Sequence, residues 1–168
     1  MSISMYQVSL PVFTHAFGAL AKVLAKGEAN ITERKIDPAV ILAGRLAPDM
    51  LPLTKQVQIA SDTAKFAAAR LTGKEAPSFE DNEQTFAELQ ARIVKTTDYL
   101  ATFGAADLDG SEDRTIVRKV RGSEISFTGI EYLQRFALPN FFFHVTTAYD
   151  ILRHNGVPLS KTDFLGAS

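Results

Sequence analysis

The 168-residue sequence contains no cysteine. Disulfides, thiolate metal sites, iron–sulfur clusters and a cysteine nucleophile are therefore excluded. It has no surplus of one charge either, with 18 basic residues against 19 acidic ones. That balance argues against nucleic-acid binding, which usually rests on a basic excess. No apolar run approaches the ~18 residues that span a bilayer, so no membrane partner is expected. The first residues lack the basic start and long apolar stretch of a signal peptide, and a soluble cytoplasmic protein is expected. A glycine-rich phosphate loop, a G-x-S-x-G elbow and an H-E-x-x-H motif are also missing. Ser61 and Ser160 have no histidine placed next to them by sequence, so a serine triad is unsupported.

What is present reads as one globular domain over residues 1–168. Hydrophobic residues make up 46% and charged residues 22%, close to the globular average. Helical periodicity dominates. The first long helix is expected over about 4–26, with Met5, Val8, Val12, Ala16, Ala19 and Val23 on one face and Pro11 marking a first-turn boundary or a kink. Residues 27–37 read as a loop. Asp37-Pro38 then starts a short helix running to about Leu46.

A second long helix is expected over about 51–71, its stripe Leu53, Val57, Ala60, Ala64, Ala67 and Leu71 ending at Gly73. A third is expected over about 82–103, with Phe86, Leu89, Ile93, Leu100 and Phe103 inward. Residues 107–113 read as an acidic loop. Two short β-branched runs around Arg121-Gly122-Ser123 predict a hairpin. Thr128 with Glu131 forms a capping box for a fourth helix to about His154, kinked at Pro139. A tail carrying Phe164 and Leu165 is expected to pack on the helices. These elements suggest an all-α four-helix bundle with a short β-hairpin between the third and fourth long helices.

Sites in bundles are built from polar side chains that point inward from facing helices. On the second helix Gln56, Thr63 and Arg70 fall within the apolar arc at seven-residue intervals, with Asp62 nearer its outer side. On the fourth, Asn140 and His144 lie four residues apart in the middle of the apolar set. His15 sits at the edge of the first helix's face, and His154 in a last turn, where a cation suits the helix dipole. His144 has two readings: a core histidine hydrogen-bonded to Asn140 or to a Thr or Gln of the second helix, or a ligand. Phe141, Phe142 and Phe143 cannot all face one side, so core packing is expected, with any exposed ring marking an interface. Asp49, Glu80, Asp81 and Glu83 read as helix N-terminal acids. Arg45 and Arg70 either bind an anionic substrate or pair with a carboxylate.

Several motifs resemble one bacterial family. They are RLAPDM at 45–50, QVQIA at 56–60, AARLTG at 68–73, Phe127-Thr128-Gly129 with Tyr132-Leu133, ALPNFFFHVTTAY at 137–149, LRHNGVPL at 152–159, and Lys161 with Asp163-Phe164-Leu165-Gly166. On them the chain is similar to the DUF1993 domain family of the DinB/YfiT-like metalloenzyme superfamily. That resemblance implies a four-helix bundle of up-down-down-up topology, often a homodimer. It also implies a divalent metal such as nickel or zinc, held by one histidine of the second helix and two, four residues apart, of the fourth. Thiol-dependent transferases and a maleylpyruvate isomerase are the activities it brings.

The implied ligand positions fall here at Thr63, Asn140 and His144, so one of three usual ligands is present and the metal site reads as degenerate. Three readings follow. In the first, Gln56, Thr63 and Asn140 bind an unknown small molecule without metal and His144 is a catalytic acid or base near pH 7. In the second, His144 holds a metal with Asp62 or His15 and waters. In the third, the protein is a non-catalytic dimer whose cluster only satisfies buried polar groups.

Overall fold

The computed structural model describes residues 3–120 and 122–167, and Arg121 of the expected hairpin turn lies outside the described residues. The chain is mostly helical with one two-stranded antiparallel sheet. Helix α1 (Leu10–Glu33) is shifted from its expected limits at both ends. It starts late because Pro11 lies in the first turn, where a missing N–H costs nothing. It runs past residue 27 because the buried face continues through Leu20, Leu24, Gly27 and Ile31. A Cβ at Gly27 would lie 2.9 Å from Leu152 Cδ2, so this glycine marks a close helix approach rather than a stop.

Helix α2 (Pro38–Leu42) begins as expected, the Asp37 carboxylate accepting from the Ala39 N–H at 2.9 Å, and ends earlier than expected. Helix α3 (Leu53–Thr72) buries its whole predicted stripe and ends at Gly73, which has φ 71°. Helix α4 (Phe86–Leu100) is capped by Thr85, whose hydroxyl accepts from the Glu88 N–H while Glu88 accepts from the Thr85 N–H. A single-turn helix α5 (Ala105–Leu108) interrupts what read as loop. Strands β1 (Ile116–Val120) and β2 (Ser123–Phe127) pair with Ile116 opposite Phe127.

The expected fourth helix is divided. Helix α6 (Gly129–Tyr132) follows the Thr128–Glu131 capping box, a π-helical turn spans Leu133–Ala137, and helix α7 (Leu138–His154) completes it. Pro139 has no N–H to offer the carbonyl four residues before it, and the wide turn just upstream absorbs that mismatch. The start of α6 is pinned against the loop before β1. A Cβ on Gly129 would fall 1.9 Å from the Ser111 carbonyl oxygen, so no larger residue fits there. The tail forms helix α8 (Lys161–Phe164), with Phe164 edge-on to Tyr149 at 5.7 Å and Asp163 paired with Lys26.

The long helices pack in a ring: α3 lies against α4 and α7, and α1 against α4 and α7, with α8 docked on α1. Phe13, Phe17 and Phe141 fill the centre, the two α1 rings edge-on to Phe141 at 4.9 and 5.0 Å. Among the described residues no helix is long and apolar enough to cross a membrane.

Candidate functional site

The α3–α7 seam carries the polar residues that the helical periodicity placed on apolar arcs. Gln56 and Thr63 lie two turns apart on α3, and Asn140 and His144 one turn apart on α7. The two pairs meet as rungs. His144 Nδ1 lies 2.7 Å from Gln56 Oε1, and Asn140 donates through Nδ2 to Thr63 Oγ1 at 2.7 Å. A third rung continues the series, Arg70 donating to the Tyr132 hydroxyl at 2.9 Å.

The rungs fix a proton position. Gln56 Nε2 donates to the Leu51 carbonyl at 2.8 Å, and a carbonyl can only accept, so the amide oxygen must face the imidazole. His144 therefore donates from Nδ1–H and carries its lone pair on Nε2. The ring is 8% exposed, and burial pushes its pKa below the usual histidine value. Near neutral pH it is uncharged.

That burial gives stability a pH dependence. In the unfolded chain the imidazole titrates near its ordinary value of about 6.5, and in the folded protein lower. Between the two, the unfolded chain binds more protons, so the contribution present above about pH 6.5 is lost as pH falls toward the folded value. His144 should add a slope of at most about 1.4 kcal/mol per pH unit in that window. Urea unfolding from pH 7.5 to 5 should show a shallower decline in His144→Gln than in the wild type. Parallel profiles would contradict it.

The other candidates lie elsewhere. Asp62 neighbours Thr63 in sequence, but its carboxylate pairs with Lys65 at 2.8 Å and with Arg92 of α4 at 3.0 Å. The ring of His15 on α1 bonds through Nε2 to the Leu165 carbonyl at 3.0 Å, fastening the tail. His154 ends α7 at the surface. Ser61 bonds Thr96 Oγ1 at 2.7 Å and accepts from Arg92 Nε, while Ser160 donates through its hydroxyl to the Asp163 carboxylate as part of the α8 cap. Arg45 donates to the Met50 carbonyl. Of the three phenylalanines, Phe141 is core and Phe143 is 55% exposed.

A divalent metal does not fit the seam. Thr63, Asn140 and His144 offer one imidazole, one neutral amide and one neutral hydroxyl, and the last two bind each other. No group of three or more His, Cys, Asp or Glu that could hold a metal exists among the described residues.

The largest polar assembly is one the sequence reading missed. Arg92 is 3% exposed on α4 and donates to Ser61 Oγ, the Glu80 carbonyl, Asp81, Glu83 and Asp62 at 2.9–3.0 Å. Asp81 and Glu83 therefore serve Arg92 rather than the α4 N-terminus, which Thr85 and Glu88 cap. Burial raises the Asp81 carboxyl, but hydrogen bonds from Lys55 and Arg92 outweigh it and hold the group below its ordinary pKa. Lys65, Lys95 and Arg92 all lie over the Phe79 ring, at 4.4, 4.2 and 5.5 Å. The signal was available: Arg92 stands three residues after Leu89 and four before Thr96, on the buried face of α4.

A cavity of about 420 Å³ opens beside this assembly, lined by Phe79, Glu83, Arg92 and Lys95 among others. A second, apolar, of about 380 Å³, lies between α1, α7 and the tail, with Val12, His15, Phe142 and Phe164 in its wall. None of Gln56, Thr63, Asn140 or His144 lines either one.

Comparison with known proteins bears on this arrangement. The model of the DUF1993 family, a domain of unknown function, matches residues 5–165. The crystal structure of a DinB family member from Shewanella denitrificans superposes with a TM-score of 0.87 at 42% identity, covering 97% of this chain and 92% of that one. No curated protein matches the chain.

Proposed function

The chain belongs to the DUF1993 family, and from that premise we propose that it is a DinB-like four-helix bundle whose polar seam serves structure rather than metal-dependent catalysis. The topology of this reading is up-down-down-up. Contacts rise together along α3 and α4 and their flanks, in Gln58–Glu83, Asp62–Arg92 and Lys74–Asp107. They run opposite ways along α3 and α7, in Gln56–His144 and Arg70–Tyr132. They also run opposite ways along α1 and α4, where the Tyr6 N–H meets Asp109 and the Ala21 carbonyl meets Gln90. The reading includes the homodimer that the family resemblance implies.

One observation carries the structural role: the side chains at the three implied ligand positions bond across the seam, Thr63 with Asn140 and His144 with Gln56. Buried polar groups must be paired, and pairs spaced along two helices also specify register. A double-mutant cycle on the part-buried Thr63–Asn140 rung tests it. Thr63→Val and Asn140→Leu should each cost about 1–2 kcal/mol by leaving the other partner unsatisfied. The double variant should cost less than the sum by about 1 kcal/mol or more. Strictly additive costs would contradict the seam.

A second reading, a metal-free acid–base site, is favoured by the Nε2 lone pair of His144, whose ring Gln56 orients. There Gln56, Thr63 and Asn140 hold the small molecule and His144 moves its proton. The transferase or isomerase chemistry of the metal-bearing relatives has no fitting donor set here.

A further inference from the structure

Beyond the seam, we propose that Arg70 and Arg118 form a binding site for the oxyanion, phosphate or carboxylate, of a small organic molecule. The two guanidinium groups come from α3 and β1, nearly fifty residues apart in sequence, and meet over one aromatic platform. Tyr132 and Phe136 stack at 5.9 Å with planes 15° apart. Arg118 lies over the Phe136 ring, its guanidinium carbon 3.7 Å from the centroid. Arg70 lies 5.0 Å from the centroid of Phe66 and donates to the Tyr132 hydroxyl. The aromatic faces hold both cations in place without neutralising them.

No carboxylate among the described residues answers these charges. Among the described residues Lys55, Lys65, Lys74, Arg92 and Arg135 each have an acidic partner within 4 Å, whereas Arg70 and Arg118 have none. Arg118 Nη1 is buried with no hydrogen-bond acceptor. Arg70 lies 5.7 Å from the Tyr132 centroid and Arg118 3.7 Å from that of Phe136, two stacked rings, so the cations share one platform, and burial together with the Arg70 charge lowers the Arg118 pKa. Two like charges, with one desolvated donor unanswered, are poor structural elements. They are a good oxyanion receptor, because each guanidinium presents a planar fork that matches carboxylate or phosphate oxygens. Both side chains are only half-buried and Phe66 beside Arg70 is exposed, so an anion reaches them from solvent.

Thermal unfolding of the full chain tests the site, with inorganic phosphate and acetate as separate probes and ionic strength held constant with sodium chloride. At ten times its Kd, a bound probe should raise the wild-type Tm by roughly 3–6 °C. Which probe acts distinguishes a phosphate from a carboxylate ligand. Arg70→Gln and Arg118→Gln should each abolish the rise. Arg118→Lys, which keeps the charge but not the fork, should weaken the Kd about tenfold. In probe-free buffer Arg118→Gln should melt no lower than the wild type, since it relieves repulsion and an unanswered donor. A wild type that responds to neither probe, or a rise that persists in both glutamine variants, would overturn the proposal. So would an Arg118→Gln protein that melts lower without probe and keeps the rise, because Arg118 would then be merely structural.

Discussion

Phe141→Ala is expected to cost about 4 kcal/mol of stability and to lower Tm by roughly 8–16 °C. Phe141 is fully buried on α7 and meets Phe13 and Phe17 of α1 edge-on. It occupies the helix face that turns to α1, while its neighbours Asn140 and His144 turn to α3. Truncation removes the apolar burial and leaves a cavity that the surrounding helices fill only in part. Phe143→Ser, on the exposed side, should change stability by no more than about 0.5 kcal/mol in the same urea titration. Similar costs for the two variants would contradict the assigned helix orientation.

Arg92→Met should lose about 3–5 kcal/mol. The cost arises less from lost attraction than from what is left behind. Glu83 is nearly buried, and without the guanidinium its carboxylate keeps only the Gln58 amide as a partner. The Glu80 carbonyl and Ser61 lose their donor as well. Asp62 and Asp81 are more exposed and water replaces most of what they lose. Arg92→Lys should recover only part of the loss, because one ammonium cannot serve five acceptors spread around a planar fork. Equilibrium unfolding checks both variants. A loss below about 1 kcal/mol in Arg92→Met would mean that the assembly does not anchor the α3–α4 connection.

Much of this arrangement is legible from spacing. The 4-3-4-3-4 run from Leu53 to Leu71 admits one buried face, and α3 buries all of it. The polar residues interrupting that arc at Gln56, Thr63 and Arg70 are the ones that bond across the seam, because a polar group on an apolar face must find a partner there. The β-branched runs near 116–127 pair as a hairpin. Other features depend on partners that spacing does not name. Gly27 opens a stretch that reads as loop until Leu152 is seen beside it. Pro139 announces a disturbance, but whether the chain kinks or widens into a π-turn is set by the packing of the flanking turns. Asp62 has two neighbouring seams to choose from, and the cations Lys65 and Arg92 draw it toward α4. That Arg118 of the hairpin shares the Tyr132–Phe136 platform with Arg70 is something no local pattern foretells.

As proposed, Gln56, Thr63, Asn140 and His144 form a hydrogen-bonded seam that serves structure and holds no divalent metal. Elemental analysis tests it most directly: untagged protein is purified without chelators, incubated with excess nickel or zinc, desalted and measured. The seam predicts less than about 0.1 equivalent of metal per chain, because one imidazole with a neutral amide and hydroxyl does not retain a divalent ion. About one equivalent, lost in His144→Ala, would contradict it.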